Sequence, residues 1–252
     1  AESCSWKNTA KHFTRWEEGM YNQIADIYNE IFPLNSGFLL FLEQYLGEPG
    51  SGVLDAGCGA GEYVDALARR GFRSAGIDAS SVMIERARRK LRGEYHAYSF
   101  QEITKLKELF FCVFSIGNSI SYLRCEERQK LLRDLSTLHC HGGSLVLQVV
   151  NWDKFLHVGG REFPVKKLSG GRSFHRSYEY ISEEQVLFNT ELRKGNEILG
   201  SWSDSLFPVR SGDLVGELGS AGYEAVRLHG DYDGTSFSEH DSGALIVTAR
   251  RG

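Results

Sequence analysis

The chain has 252 residues, 41% hydrophobic and 25% charged, with a formal net charge of −4. That length suits one domain, or one domain with an insertion, around a sizeable core, and the composition is that of a soluble globular protein. The acidic balance gives no general pull toward nucleic acid or anionic membrane, and no apolar run reaches the roughly 18 residues that cross a bilayer.

Ala1-Glu2-Ser3-Cys4 lacks an initiating Met and a signal-peptide core, so it reads as a trimmed or engineered end. The five cysteines (Cys4, Cys58, Cys112, Cys125 and Cys140) show no metal-ligand spacing and are expected to be reduced thiols in a cytoplasm. Residues 14–47 are predicted helical: Ile24, Ile27, Tyr28 and Ile31 recur at helical spacing, as do Phe38, Leu39, Leu42, Tyr45 and Leu46 after Pro33. A turn-rich link at 47–52 leads to a strand at 53–56, a helix to Arg70 stopped by Gly71, and a strand at 74–78. Ser80 or Ser81 then caps a helix with Met83, Ala87 and Leu91 on one face, ended by Gly93. A weak strand at 95–98 precedes the apolar run 112–116, which suits a buried parallel strand. A helix carrying Leu131, Leu132, Leu135 and Leu138, a turn at 139–143 and a strand at 145–150 follow. This alternation predicts a doubly wound parallel sheet.

The pattern changes at 151. Strand-like stretches at 178–181, 186–192 and 198–202, with a hairpin turn at Lys194-Gly195-Asn196, predict an antiparallel insertion over about 151–210. A helix at 213–221 and strands at 225–229 and 244–249 close the chain. Residues 1–252 thus read as a single domain, capped by the N-terminal helices.

The most informative run is Val53-Leu54-Asp55-Ala56-Gly57-Cys58-Gly59-Ala60-Gly61-Glu62, followed by Gly76-Ile77-Asp78. Glycine at alternate positions turns the backbone sharply and lets a ligand approach without interference from Cβ. The next helix offers free N–H donors at its N-terminus. Asp78, closing the second strand, can accept two hydrogen bonds from a ribose diol. The combination predicts a nucleoside-binding crevice in an α/β sheet. Its spacing is GxGxG rather than the GxGxxG of dinucleotide folds.

This passage resembles motif I of class I S-adenosylmethionine-dependent methyltransferases, in which an acidic residue lies two before GxGxG. The resemblance extends in arrangement over residues 24–250 and implies a Rossmann-like, seven-stranded, mostly parallel sheet whose last strand runs antiparallel. It implies S-adenosyl-L-methionine as cofactor and S-adenosyl-L-homocysteine as product. Asp55, Ala56, Gly57, Gly59 and Gly61 would wrap the methionine end, with Ile116 beneath it, and Asp78 with Ala79 would hold the ribose side. Ser99 and Phe100 fall where related enzymes flank adenine; Met83 is a second candidate adenine wall or a core residue. Tyr21 and Tyr28 would close over the cofactor or serve as packing anchors.

Residues 115–123, Ser-Ile-Gly-Asn-Ser-Ile-Ser-Tyr-Leu, resemble the Gly-Asn-Ser motif of small-molecule enzymes related to glycine N-methyltransferase. There Asn118 would face the methyl acceptor; the alternative is that Asn118 and Ser119 cap the following helix. Tyr122 stands where the family carries His, so the proton-handling role of that His does not carry over. Glycine methyltransferases place Arg before the Asn of a later segment, but this chain has Val150 before Asn151, which argues against glycine as acceptor. Phe111 also departs from an Asp common before the fourth strand. Arg172, His175 and Arg176 are candidates for an anionic acceptor, or else form a solvated strand face. Adjacent His139, Cys140 and His141 lack metal-ligand spacing, so no metal is expected, and Asp231-Tyr232-Asp233-Gly234 either borders the crevice or turns the chain.

The expected function is methyl transfer to a small molecule, by a monomer or homodimer. Nitrogen is favoured because no His–Asp pair appears at telling spacing; a phenolic oxygen would need a base, for which Tyr122, His157 and His175 are the candidates. An O-methyltransferase acting on a phenolic or carboxylic metabolite, a tRNA or protein methyltransferase and a non-catalytic cofactor-binding module remain as alternatives.

Overall fold

The computed structural model describes residues 19–159 and 161–252; Cys4 and positions 14–18 of the predicted helical cap lie outside them. The cap is not continuous. It consists of α1 (Met20–Gln23), α2 (Tyr28–Ile31) and α3 (Ser36–Glu43), the last started by Asn35, whose side chain accepts from the Gly37 and Phe38 N–H groups. Pro33 precedes this cap, so the chain has to restart helix rather than extend it.

The main sheet alternates with helices as expected: β1 (Gly52–Ala56), α4 (Glu62–Arg69), β2 (Arg73–Ile77), α5 (Ser81–Lys90), β3 (Glu94–His96), β4 (Phe110–Ser115), α6 (Cys125–Thr137) and β5 (His139–Val150). The turn expected at 139–143 is instead the opening of β5, with Gly142 at φ 71° inside it. His139 anchors that opening, its ring nitrogens 2.9 Å from the Leu135 and Ser144 carbonyls. After α7 (Trp152–Val158) comes a second, antiparallel sheet: β6 (Arg161–Glu162), β7 (Lys166–Lys167), β8 (Arg172–Ser182), β9 (Gln185–Lys194) and β10 (Glu197–Leu206). Helix α8 (Ser211–Ser220) and the hairpin of β11 (Tyr223–His229) with β12 (Ala244–Arg251) complete the chain.

The seven-stranded sheet runs β3-β2-β1-β4-β5-β12-β11. β12 is antiparallel to both its neighbours and the other pairings are parallel. Alternation along the strands sends Leu54 and Val113 to one core, and Val53, Cys112 and Phe114 to another, on the opposite face. Each such burial contributes about 1.5–3 kcal/mol. Between α6 and α8 the ion pair of Arg128 and Glu217 is buried, with two N–H···O bonds of 2.8 and 2.7 Å. Among the described residues no helix is long and apolar enough to cross a membrane. What matters for the site is the order reversal between β1 and β4, because ligands of open α/β sheets bind at the carboxyl ends of strands around that point.

Candidate active site

At that point the sheet opens into a cavity of about 660 Å³, within the range of small-molecule sites. The floor is the turn after β1. Gly57 has φ 93° and Gly59 φ 52°, and a Cβ on Gly59 would lie 2.6 Å from the Tyr28 hydroxyl, so both the bend and the packing demand glycine. The Gly57 and Cys58 N–H groups both donate to the Ile77 carbonyl at 2.9 Å, which fastens the turn to the end of β2.

Two carboxylates face this floor. Asp78 accepts from the Gly59 N–H at 2.9 Å and from the Ser80 N–H at 2.8 Å. Burial raises its pKa, and those two donors pull it back. Asp55, at the end of β1, is 2% exposed and its Oδ1 has no hydrogen-bond partner. Burial, and then Asp78, push its carboxyl well above the usual range. An orphaned buried oxygen costs about 1–3 kcal/mol, so this one is destabilising until a donor meets it.

The sequence-predicted set largely converges. Gly57, Gly59, Gly61, Asp55, Asp78 and Ala79 line the cavity, and so do Met83, Ser99, Phe100 and Ile116. Met83 does so although it is almost wholly buried in the packing of α5. The Ser99 hydroxyl donates to Glu102 at 3.0 Å, leaving its lone pairs free to accept. Tyr21, Tyr28 and Tyr122 form the opposite wall: the Tyr21 and Tyr122 hydroxyls are 3.0 Å apart, and the Tyr21 and Tyr28 ring centroids are 6.3 Å apart. Burial raises all three phenols, so they stay protonated and serve as donors, not as bases.

Two of the predicted residues lie outside the cavity lining. Ala56 is a fully buried strand residue outside the cavity lining; its carbonyl accepts from the Ser115 hydroxyl at 2.6 Å. Asn118 does not line the cavity either. It adopts a left-handed conformation (φ 67°), which Asn tolerates better than most residues, and its Oδ1 accepts from Ser121 Oγ at 2.7 Å, the Val150 N–H at 3.1 Å and Trp152 Nε1 at 3.3 Å. The side chain is thus committed to tying the β4 turn to β5 and α7. The helix-capping alternative fares no better for Asn118, which makes no side-chain cap bond.

The polar candidates separate too. Arg172 lies 3.7 Å from Glu30, and His175 Nε2 lies 3.0 Å from Ser173 Oγ, whereas Arg176 reaches the cavity. Neither His157 nor His175 lines it. Asp231 accepts from the Asp233 and Thr235 N–H groups and turns the chain, while its neighbour Tyr232 lines the cavity. Among the lining residues that the sequence did not single out are Lys166, Gln148, Tyr63, Tyr98 and Glu62. Lys166 sits in a two-residue strand, too short to carry a periodic signal.

Residues 53–143, which carry β1 to β4 and the glycine turn, match the family model described as a methyltransferase domain. With the strand order above, the chain carries a methyltransferase domain in the fold of class I S-adenosylmethionine-dependent methyltransferases, and it is similar to small-molecule enzymes among them. It is 27% identical over 206 residues to the glycine/sarcosine N-methyltransferase of Aphanothece halophytica, covering 79% of this chain and 76% of the relative. It is 25% identical over 158 residues to the ubiquinone biosynthesis O-methyltransferase of Coxiella burnetii, covering 60% and 66% respectively. Among solved structures, the CcbJ methyltransferase of Streptomyces caelestis shares the fold, with a TM-score of 0.78 at 21% identity over 94% of this chain and all of that one.

Proposed function

We propose that the protein transfers a methyl group from S-adenosylmethionine to a nitrogen of a small-molecule acceptor. The observation that carries the choice of nitrogen is the lack of a histidine base: among the described residues no histidine lines the cavity, its three clustered phenols are held protonated by burial, and the carboxylates Asp55 and Asp78 sit at the glycine turn assigned to the cofactor. A buried amine loses its proton more readily and needs only placement, whereas a phenol needs a partner that takes its proton. The name of the glycine/sarcosine N-methyltransferase supports the same reading.

The residues present fit the cofactor. Asp55 Oδ1 awaits a donor, and Asp78 keeps lone pairs for ribose hydroxyls beyond those used by Gly59 and Ser80. At Gly57, Gly59 and Gly61 a Cβ would run into Ser119, Tyr28 and Tyr95, so glycine keeps the turn close against its neighbours. Ala79, Met83, Phe100 and Ile116 supply apolar wall, and Ser99 a polar edge. When bound, S-adenosylmethionine supplies an activated methyl on a sulfonium. The chain's own part is to hold the acceptor atom about 3 Å from that methyl, in line, and to keep water out. Tyr21, Tyr28 and Tyr122 close that wall, with polar hydrogens positioned to orient an acceptor.

Assaying parallel panels of amines and phenols with methyl-labelled S-adenosylmethionine tests the proposal. Amine turnover is expected; turnover confined to phenols would overturn the nitrogen assignment and favour the chemistry named in the Coxiella relative.

A further inference from the structure

The cavity is electrically polarised. Asp55 and Asp78 lie at the sheet edge, and two cations, Lys166 of β7 and Arg176 of β8, line the cavity from the second sheet. The two-residue period of a strand puts Arg176 on the inward face of β8 between Phe174 (0% exposed) and Tyr178 (7%). Its guanidinium lies 5.1 Å from the Phe163 ring centroid and 5.9 Å from that of Phe32, so stacking on two aromatic faces holds it. Its Nε is buried without a hydrogen-bond partner, and among the described residues no carboxylate forms an ion pair with it. Lys166 Nζ donates to the Ile31 carbonyl at 2.6 Å, a neutral partner. Burial, and then Arg176, lower the Lys166 pKa, and burial also lowers that of Arg176, as expected for neighbouring positive groups partly withdrawn from water.

A half-buried, stacked guanidinium whose Nε–H is buried and unmet is costly by itself and suits a planar anion that it can grip with two bonds. We infer that Arg176, with Lys166 beside it, forms a carboxylate-binding subsite for the methyl acceptor, which is therefore an amine bearing an anionic group. Val150 stands where glycine methyltransferases carry their arginine, and the missing cation is supplied here from a different element, on the acceptor-side sheet. This rests on the function proposed above. The other source of the same chemistry is the carboxylate at the amino-acid end of the cofactor.

Calorimetric titration separates the two sources. S-adenosylhomocysteine is titrated into wild type and Arg176→Gln, and then benzoate, propionate and their amides are titrated into each protein with and without S-adenosylhomocysteine. The wild type is expected to bind at least one carboxylate tenfold or more tightly than its amide. Arg176→Gln is expected to lose that preference while its affinity for S-adenosylhomocysteine changes less than twofold. Arg176→Lys, which keeps the charge but not the fork, is expected to fall between them and serves if the glutamine variant fails to fold. Carboxylates binding no better than amides would overturn the inference, and so would a tenfold loss of S-adenosylhomocysteine affinity in Arg176→Gln with the anion preference intact. Failure of the wild type to bind S-adenosylhomocysteine would instead remove the proposed function, with the anion preference still readable in the cofactor-free protein.

Discussion

Asp55→Asn is expected to stabilise the ligand-free protein and to weaken its hold on S-adenosylhomocysteine. Asp55 is 2% exposed, its Oδ1 has no partner, and Asp78 faces the same cavity floor. The amide has nearly the same shape and no charge to desolvate. Recovering part of a penalty of about 1–3 kcal/mol, here about 1, corresponds to a rise of roughly 2–4 °C in Tm for a protein of this size. The pH dependence has a definite sign. The folded pKa of Asp55 is raised, so the native state binds the proton more tightly than the unfolded chain. Stability from this group is therefore present at low pH and is lost as pH climbs from about 4 through the folded value. The variant lacks that loss, so its advantage is expected to widen between pH 4 and pH 8. Ligand reverses the order: S-adenosylhomocysteine at 100 times its Kd adds about 2.7 kcal/mol to the wild type, and tenfold weaker binding leaves the variant about 1.4 kcal/mol. Thermal scans at both pH values, with and without S-adenosylhomocysteine, read all of this. A variant with a lower ligand-free Tm than wild type, or an equal shift with ligand, would refute the reasoning.

Two further substitutions test the frame around the cavity. Asn118→Ala strips an acceptor from Ser121, the Val150 N–H and Trp152 Nε1 and puts alanine at φ 67°; a loss of about 3 kcal/mol or more is expected in urea denaturation, with S-adenosylhomocysteine affinity of the folded protein changed less than threefold. Arg128→Met leaves Glu217 buried and unpaired, at about 3–5 kcal/mol, and adding Glu217→Leu is expected to recover most of that loss in the same measurement.

The cofactor side of the cavity was legible in the sequence because its chemistry is local. A glycine turn fixed to a strand end, and an acidic residue closing the next strand, need only the covalent spacing and the βα alternation to be placed. The Asn118 motif was visible, but its side-chain direction was not: that depends on a left-handed backbone and on Trp152, 34 residues on. Arg176 was singled out together with Arg172 and His175; His175 lies on the opposite strand face, and Arg172, on the same face as Phe174 and Tyr178, turns to Glu30 and stays out of the cavity lining. The alternation that separates it from His175 was already in the sequence, although the predicted strand began only at 178; its difference from Arg172 lies in a contact with Glu30, far earlier in the chain, which no local pattern carries. Lys166 left no trace, since two residues of strand carry no pattern. The N-terminal cap was foreseen as helical but not as three pieces, because short restarted helices keep the same apolar spacing as a continuous one.

The cavity roof is stitched from distant parts of the chain. Lys166 reaches Ile31 across 135 positions, and the Ser169 N–H and hydroxyl reach Glu30 across 139. Contacts of such sequence separation carry a large loop-closure cost, and here they lie over apolar packing of Ile31 and Phe32 against Phe174. The N-terminal cap and the second sheet are thereby fastened to each other directly, so the two share one border.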